Sequence, residues 1–215
     1  MSVHRQTNRE IEVKLRVADV PAMLHKLENL GARYESRVLE RNTLYDTPRS
    51  DFRRRGALLR IRAETPPRVG YQSPNLASRS ASRRTILTSK APAALRSARD
   101  RRYKEKLERE LVVPGPPTHW DRKLRSLGLR PGFRYDKIRS TFRLNRFPGL
   151  AIELDETPAG TFLELEGLPR AIDRAARALG YSSRDYYCGS YWDVYVADCR
   201  RRGVSARNMV FDKQK

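Results

Sequence analysis

The residues most able to do chemistry lie near the start of the chain. Glu10-Ile11-Glu12-Val13-Lys14 sets a charge at every second position, with apolar residues between. Side chains alternate between the two faces of a strand, so Glu10, Glu12 and Lys14 share one side while Ile11, Val13 and Leu15 share the other. Two neighbouring carboxylates repel one another. On an open sheet they face water; in a closed sheet they point into a polar interior and require a cation between them.

The same alternation returns along most of the extended segments. Arg60 and Arg62 share a face, as do Lys106, Glu108 and Glu110; Lys137, Arg139 and Arg143; Glu153 and Asp155; and Glu164 and Glu166, with Lys90 on a further strand. The intervening residues Leu59, Ile61, Leu107, Leu111, Ile152, Leu154, Leu163 and Leu165 need cover from helices. A solvated outer face explains one Glu-x-Glu, but its repetition across most strands of a basic chain points to an interior with a charged occupant. Basic side chains fit phosphate oxygens, and Arg offers two donors at once. The acid pairs Glu10/Glu12 and Glu164/Glu166 suit a hard divalent cation, Mg²⁺ or Mn²⁺, which takes oxygen ligands and bridges carboxylates to phosphates. Together these groups specify phosphoanhydride chemistry, in which cations neutralise the charge that develops on the transferring phosphoryl and leaving groups.

The elements that must position these residues follow from periodicity and stop signals. Ile11 to Val17 reads as a strand, followed by an amphipathic helix from Pro21 to Leu30 that Gly31 stops. Strands are expected at Arg37 to Tyr45, Leu58 to Ala63, Thr85 to Lys90, Tyr103 to Val113, Tyr135 to Leu144, Leu150 to Glu156 and Thr161 to Gly167. Asp46-Thr47-Pro48 is a turn signal, and Arg49 to Gly56 is polar. Thr118 to Leu127 is expected as a helix with Thr118 as its cap, and Pro169 to Leu179 as a third helix stopped by Gly180. Pro, Gly, Ser and Arg dominate Thr65 to Arg84, which reads as a basic insertion. A short helix is expected within Ala91 to Arg102, and a basic, frayed tail at the C-terminus from Arg200. A helix ending in Leu-Gly precedes a strand pair twice, so two similar halves join into one antiparallel sheet system of α+β class.

The chain has 215 residues and a formal charge of +20, from 45 Lys and Arg against 25 Asp and Glu. Such an excess favours polyanionic partners: a small triphosphate or nucleotide, polyphosphate, or nucleic acid met through the basic loop and tail. Cys188 and Cys199 do not form a disulfide framework, and the three His residues lack catalytic spacing. Met1 to Glu12 lacks an apolar stretch and no long apolar run follows, which argues against secretion and membrane spanning; a cytoplasmic location is expected.

These residues resemble the signature of the CYTH superfamily, the triphosphate tunnel metalloenzymes that include class IV adenylate cyclases, thiamine triphosphatases and inorganic triphosphatases. The likeness begins with Glu-x-Glu-x-Lys at residues 10–14. It continues in order through Asn42-Thr43-Leu44-Tyr45-Asp46-Thr47, Leu59-Arg60-Ile61-Arg62, Leu87-Thr88-Ser89-Lys90, Glu108-Arg109-Glu110, Lys137-Ile138-Arg139, Leu154-Asp155-Glu156 and Phe162-Leu163-Glu164-Leu165-Glu166. The resemblance implies a closed antiparallel eight-stranded β-barrel with helices packed outside, spanning residues 1–196 before a basic tail at 197–215. It implies Glu10, Glu12, Glu164 and Glu166 as chief metal ligands, with Glu108 or Glu110 and Asp155 assisting. Lys14, Arg60, Arg62, Lys90, Lys137 and Arg139 would hold phosphates, with Lys106 beside them, and Glu12, Lys14, Arg62 and Arg139 would act at the reacting phosphate. Ser89-Lys90-Ala91-Pro92 departs from the Lys-Gly-Pro ending common in relatives, and Ser190-Tyr191 is similar to their terminal Ser-Tyr.

The expected activity is metal-dependent hydrolysis of inorganic triphosphate or a small organic triphosphate. The alternatives are a class IV adenylate cyclase, in which a ribose hydroxyl attacks in place of water, and a polyphosphate or nucleic-acid binding protein without catalysis. Paired acids weigh against the last, because without metal they repel a polyanion.

Overall fold

The alternation of charged and apolar residues becomes a closed sheet. The computed structural model describes residues 7–66, 83–93 and 102–212, with side chains from Arg9 onward. Its strands are β1 (Thr7–Val17), β2 (Arg33–Asp46), β3 (Leu58–Thr65), β4 (Arg84–Pro92), β5 (Lys104–Val113), β6 (Arg130–Arg143), β7 (Ala151–Thr157) and β8 (Gly160–Glu166). They form a closed antiparallel barrel in the order β1-β5-β4-β3-β2-β6-β7-β8. Eight strands leave an interior that side chains can fill or that holds one small ligand. The two halves inferred from the repeat meet at β2 and β6, both 14 residues long, and each half's first strand crosses to pair with the last strand of the other.

One side of the barrel exterior carries the main core. Ile11, Val13 and Leu15 of β1, Ile152 and Leu154 of β7, and Leu163 and Leu165 of β8 pack beneath two helices, α1 (Val20–Asn29) and α4 (Pro169–Ala178). Met23 and Leu27 of α1 and Ile172, Ala175 and Ala176 of α4 enter this layer. Each fully buried Leu or Ile contributes about 1.5–3 kcal/mol, and the apolar anchoring fixes which residues of β1 and β8 face inward. The Asp19 carboxylate accepts the Ala22 N–H at 2.9 Å, so α1 has a side-chain cap at its N-terminus. Gly31, at φ +76°, lets the chain leave that helix in a conformation costly for other residues.

Three local expectations change. The polar segment after Pro48 contains a short helix, α2 (Asp51–Arg54), because the Asp46 carboxylate accepts the N–H groups of Thr47, Phe52 and Arg53. The next helix, α3 (Pro117–Ser126), begins one residue earlier than expected, with Pro116 rather than Thr118 at the cap; the fixed φ of Pro117 suits a first helical turn. Leu124 and Trp120 of α3 cover Leu59, Ile61 and Tyr45 on a second side of the barrel, whereas Leu107 stays exposed.

The described part of the C-terminal region, through residue 212, packs on the barrel rather than fraying. Ser190 and Asp193 form a capping box that starts α5 (Tyr191–Arg201). After it, the Met209 N–H donates to the Arg134 carbonyl at 2.9 Å, and Met209 accepts from the Asp136 N–H at 2.8 Å. Met209 is 0% exposed, and with Val194, Tyr191, Phe133 and Phe162 it builds a third apolar cluster. Basic composition masked this Met anchor. Most of the basic insertion, at 67–82, and the short helix expected within Ala91 to Arg102, at 94–101, fall outside the described residues. None of the described helices is long and apolar enough to cross a membrane.

Candidate active site

The barrel encloses a cavity of about 460 Å³ into which the alternating charges project. Of the residues singled out by sequence, Glu10, Glu12, Lys14, Arg60, Arg62, Lys90, Glu108, Glu110, Lys137, Arg139, Glu164 and Glu166 line it together. Cross-strand register explains the convergence. Lys14 lies opposite Glu164, Glu12 opposite Glu166, Glu153 opposite Glu164, and Lys90 opposite Glu108.

Opposite charges interlock across the cavity. Lys14, 2% exposed, reaches Glu12 at 2.7 Å and Glu164 at 2.9 Å. Glu12 also receives Lys104 at 2.6 Å, and Lys90 binds Glu10 at 2.6 Å and Glu108 at 3.1 Å. Arg60 and Arg62 converge on Glu110, at 3.1 and 2.9 Å. Arg139 grips Asp155, Glu153 and Glu164.

Two expected site residues stand elsewhere. Lys106 donates to the Gly56 carbonyl at 2.7 Å and does not line the cavity, because the turn after α2 offers it an acceptor. Asp155 is 0% exposed behind the wall, where Lys137 at 2.9 Å, Arg139, and the Tyr191 hydroxyl at 2.6 Å all bind its carboxylate. It organises cations and has no open face toward the cavity. Arg143, on the same alternation, lies beyond the cavity and pairs with Glu35 at 3.1 Å.

The structure adds residues that sequence reasoning gave no role. Glu40 of β2 lies within 3.5–3.8 Å of Lys137, Arg62 and Arg139. The alternation of Glu40 and Asn42 with exposed Arg41 carried that signal. Lys104 and Glu153 also shared the inward parity. Tyr191, from α5, places its ring 5.2 Å from both Lys14 and Lys137. Backbone bonds of 2.9 and 3.0 Å between Lys14 and Tyr187 fix this segment to β1, beyond the point where β1 leaves β5. Leu44, Leu58, Phe133 and Trp192 give the cavity an apolar end.

Charge balance inside contrasts with the whole chain. Among the described residues, seven carboxylates line the cavity, Glu10, Glu12, Glu108, Glu110, Glu153, Glu164 and Glu166, against seven cations, Lys14, Arg60, Arg62, Lys90, Lys104, Lys137 and Arg139, so the lining is balanced. The net charge of +20 therefore resides on the exterior and the tails. Burial pushes Glu166 up to about 8, reinforced by repulsion from Glu10 and Glu153. Glu10 is also raised, by burial and by Glu12 and Glu108 against the pull of Lys90. Burial opposes ionisation of Glu12 and Glu110 as well, but cations win: Lys14 draws Glu12 well below its usual range, and Arg62 and Arg60 hold Glu110 at about 2. Lys14, which burial alone would lower, is raised by Glu12 and Glu164.

Such an oxygen-rich, mutually repelling set fits a hard divalent cation by donor type. Glu166 has neither a hydrogen bond nor an ion pair among the described residues; the acids Glu10, Glu153 and Glu108 repel its charge, opposed by Lys90. No three acidic, His or Cys side chains converge on one metal position among the described residues, where Lys and Arg pair most of the carboxylates.

Comparison with known proteins agrees with this architecture. Solved structures that share the fold include a candidate adenylate cyclase from Vibrio parahaemolyticus, 20% identical, with a TM-score of 0.65 over 88% of this chain and 98% of that one. A protein from Pyrococcus horikoshii is 22% identical, with a TM-score of 0.66 over 87% and 98%. A candidate adenylyl cyclase from Hippeastrum, described as having a dominant triphosphatase activity, is 19% identical with a TM-score of 0.55 over 92% and 97%. No curated protein matches the chain. The CYTH domain model matches residues 8–183, most of the chain and all eight strands, so the protein belongs to the CYTH family, whose members act on triphosphates.

Proposed function

We propose that the protein is a divalent-metal-dependent triphosphatase that hydrolyses inorganic triphosphate or a small organic triphosphate. The observation that carries this reading is the seven carboxylates that line the cavity among as many Lys and Arg side chains. A triphosphate alone would draw the Lys and Arg side chains away and leave the carboxylates unpaired; a triphosphate accompanied by divalent cations satisfies both sets of groups. Glu10 and Glu166, with Glu108 and Glu153, would hold the metal, since these acids repel one another or lack a cation of their own. Glu12 and Glu164 would join them as Lys14 turns to phosphate. Mg²⁺ or Mn²⁺ bound there supplies charge neutralisation and a more acidic water.

Lys14, Arg60, Arg62, Lys90, Lys137 and Arg139 would exchange lumen carboxylates for phosphate oxygens. Lys14 stays protonated through the neutral range because two carboxylates raise its pKa, so it stabilises charge on the phosphoryl group and does not serve as a base. Water oxygen bonds to the terminal phosphorus as the bridging P–O bond breaks, releasing orthophosphate and a diphosphate. Asp155, bound by Lys137, Arg139 and Tyr191, keeps two of the phosphate-binding cations in place.

The apolar end at Leu44, Leu58, Phe133 and Trp192 favours a second reading, adenylate cyclase, because it offers a surface for a base beside the phosphate region. The dominant triphosphatase activity of the Hippeastrum protein supports hydrolysis as the first choice. Purified protein with Mg²⁺ or Mn²⁺ should release orthophosphate from tripolyphosphate, ATP or thiamine triphosphate without forming cyclic AMP. Cyclic AMP with matching pyrophosphate would establish the cyclase instead, and binding without turnover would leave a polyphosphate-binding protein. Glu12→Gln and Glu164→Gln should each lower turnover and shift its metal dependence; wild-type behaviour in both would overturn the tunnel assignment.

A further inference from the structure

Asn42 stands on the inward face of β2, 2% exposed, with Arg62 opposite it on β3 and Tyr135 opposite it on β6. Neither its Nδ2 nor its Oδ1 has a hydrogen-bond partner. Leaving a buried amide unpaired at both ends is costly, and a native fold retains one for a reason. Its neighbours supply the reason, because their unmet groups are complementary. Glu40 Oε2, two positions earlier on the same face, has Lys137 Nζ at 3.5 Å but accepts no hydrogen bond. The Nε atoms of Arg60 and Arg62 lack acceptors; that of Arg62 lies 3.2 Å from Glu64 but out of line for a hydrogen bond. Meanwhile the outer nitrogen Nη2 of Arg62 is held by Glu110 at 2.9 and 3.0 Å, the edge a phosphate would need.

We propose that Asn42 is a positioning residue for the substrate-engaged tunnel, bridging Glu40 and Arg62 once phosphate draws the Arg62 guanidinium away from Glu110. In that state Asn42 Nδ2 donates to Glu40 Oε2 and Arg62 Nε donates to Asn42 Oδ1. The Nη edge of Arg62 is then fixed toward the phosphate chain. These bonds are unmade in the structure, and substrate binding completes them. The inference rests on the triphosphate reading and assigns Asn42 no contact with the reacting atoms.

The test uses the full chain with inorganic tripolyphosphate and Mg²⁺, read by calorimetric titration, thermal melting and steady-state kinetics. Asn42→Leu replaces the amide with an apolar group of similar size, so the melting temperature should stay level or rise while tripolyphosphate affinity falls about tenfold, one charge-assisted hydrogen bond's worth. KM should rise more than kcat falls. If the leucine variant does not fold, Asn42→Ala carries the same affinity measurement. In an Arg62→Gln background the Asn42 substitution should have little further effect, since Asn42 acts through that arginine. Affinity within twofold of wild type, or a full tenfold loss persisting in the Arg62→Gln background, would overturn the proposal. If Arg62→Gln itself binds like wild type, the triphosphate reading fails; if Arg62→Gln is weak and Asn42→Leu is normal, only the role of Asn42 fails.

Discussion

Replacing Lys14 by methionine isolates the electrostatic balance of the tunnel, because Met keeps an unbranched chain of similar length and removes only the charge. Lys14 lies between Glu12 at 2.7 Å and Glu164 at 2.9 Å, all three buried. Removing one partner of a buried pair costs about 3–5 kcal/mol, since the other is left uncompensated. Here Lys104 still holds Glu12 and Arg139 still holds Glu164, so the lower end, about 3 kcal/mol, applies. For a protein of this size that lowers the melting temperature by about 6–12 °C. The pH dependence follows from the direction of each shift. In the wild type both carboxylates have depressed pKa values, so their contribution is present above the unfolded value of about 4.3 and is lost as pH falls below it. In the variant the two acids face each other without the cation and their pKa values rise, so they penalise folding at neutral pH and the penalty is withdrawn as they protonate. The gap between wild type and Lys14→Met should therefore narrow from pH 7.5 to pH 5 in urea and thermal unfolding. A variant as stable as wild type, or a gap identical at both pH values, would refute the reasoning.

Tyr191→Phe removes a hydroxyl that donates to buried Asp155 at 2.6 Å, and urea unfolding should show a loss of about 1.5–3 kcal/mol. Tripolyphosphate turnover, measured alongside, should also fall, because Lys137 and Arg139 share the loosened carboxylate. Met209→Ala should cost about 2–5 kcal/mol in the same assay, since Met209 is 0% exposed; a tail outside the fold would cost nothing. Gly189→Ala drives a new Cβ into the Tyr187 ring, which is 37% exposed and able to swing aside, so the loss should stay near about 1 kcal/mol. Combining it with Tyr187→Ala should remove the clash component in a melting experiment.

Much of the barrel was legible because period-two alternation survives even where the inward residues are charged. Glu10, Glu12 and Lys14 face the cavity as that alternation requires, as do Arg60, Arg62, Glu164 and Glu166. Glu40 and Asn42 follow the same rule, but their strand mixes polar residues on both faces, so parity alone does not mark which side is enclosed. Alternation also placed Asp155 inward without revealing that Lys137, Arg139 and Tyr191 would surround it, because depth within a wall depends on strands and helices distant in sequence. Tyr191, noted in the sequence only for its likeness to a terminal Ser-Tyr, was given no role for a related reason. Its neighbours suggest ordinary aromatic packing, and only the backbone pairing of Tyr187 with Lys14 carries it to the tunnel. Pro117 displaced the expected Thr118 cap because a preset backbone angle can start a helix without side-chain capping.

The divided pairing of β1 bears on how the chain folds. Residues 7–12 of β1 pair with β5, and residues 12–17 pair with β8. On its other edge, Lys14 receives Tyr187. The first strand of the barrel thus has no partner until β5 emerges, and its pairing is complete only after residue 187. Contacts of such sequence separation slow folding and keep an unpaired edge exposed in the growing chain. A ribosome-bound fragment ending before β8 would carry an open sheet with its acidic and basic faces in water, so the tunnel forms only when β8 has been released to pair with β1.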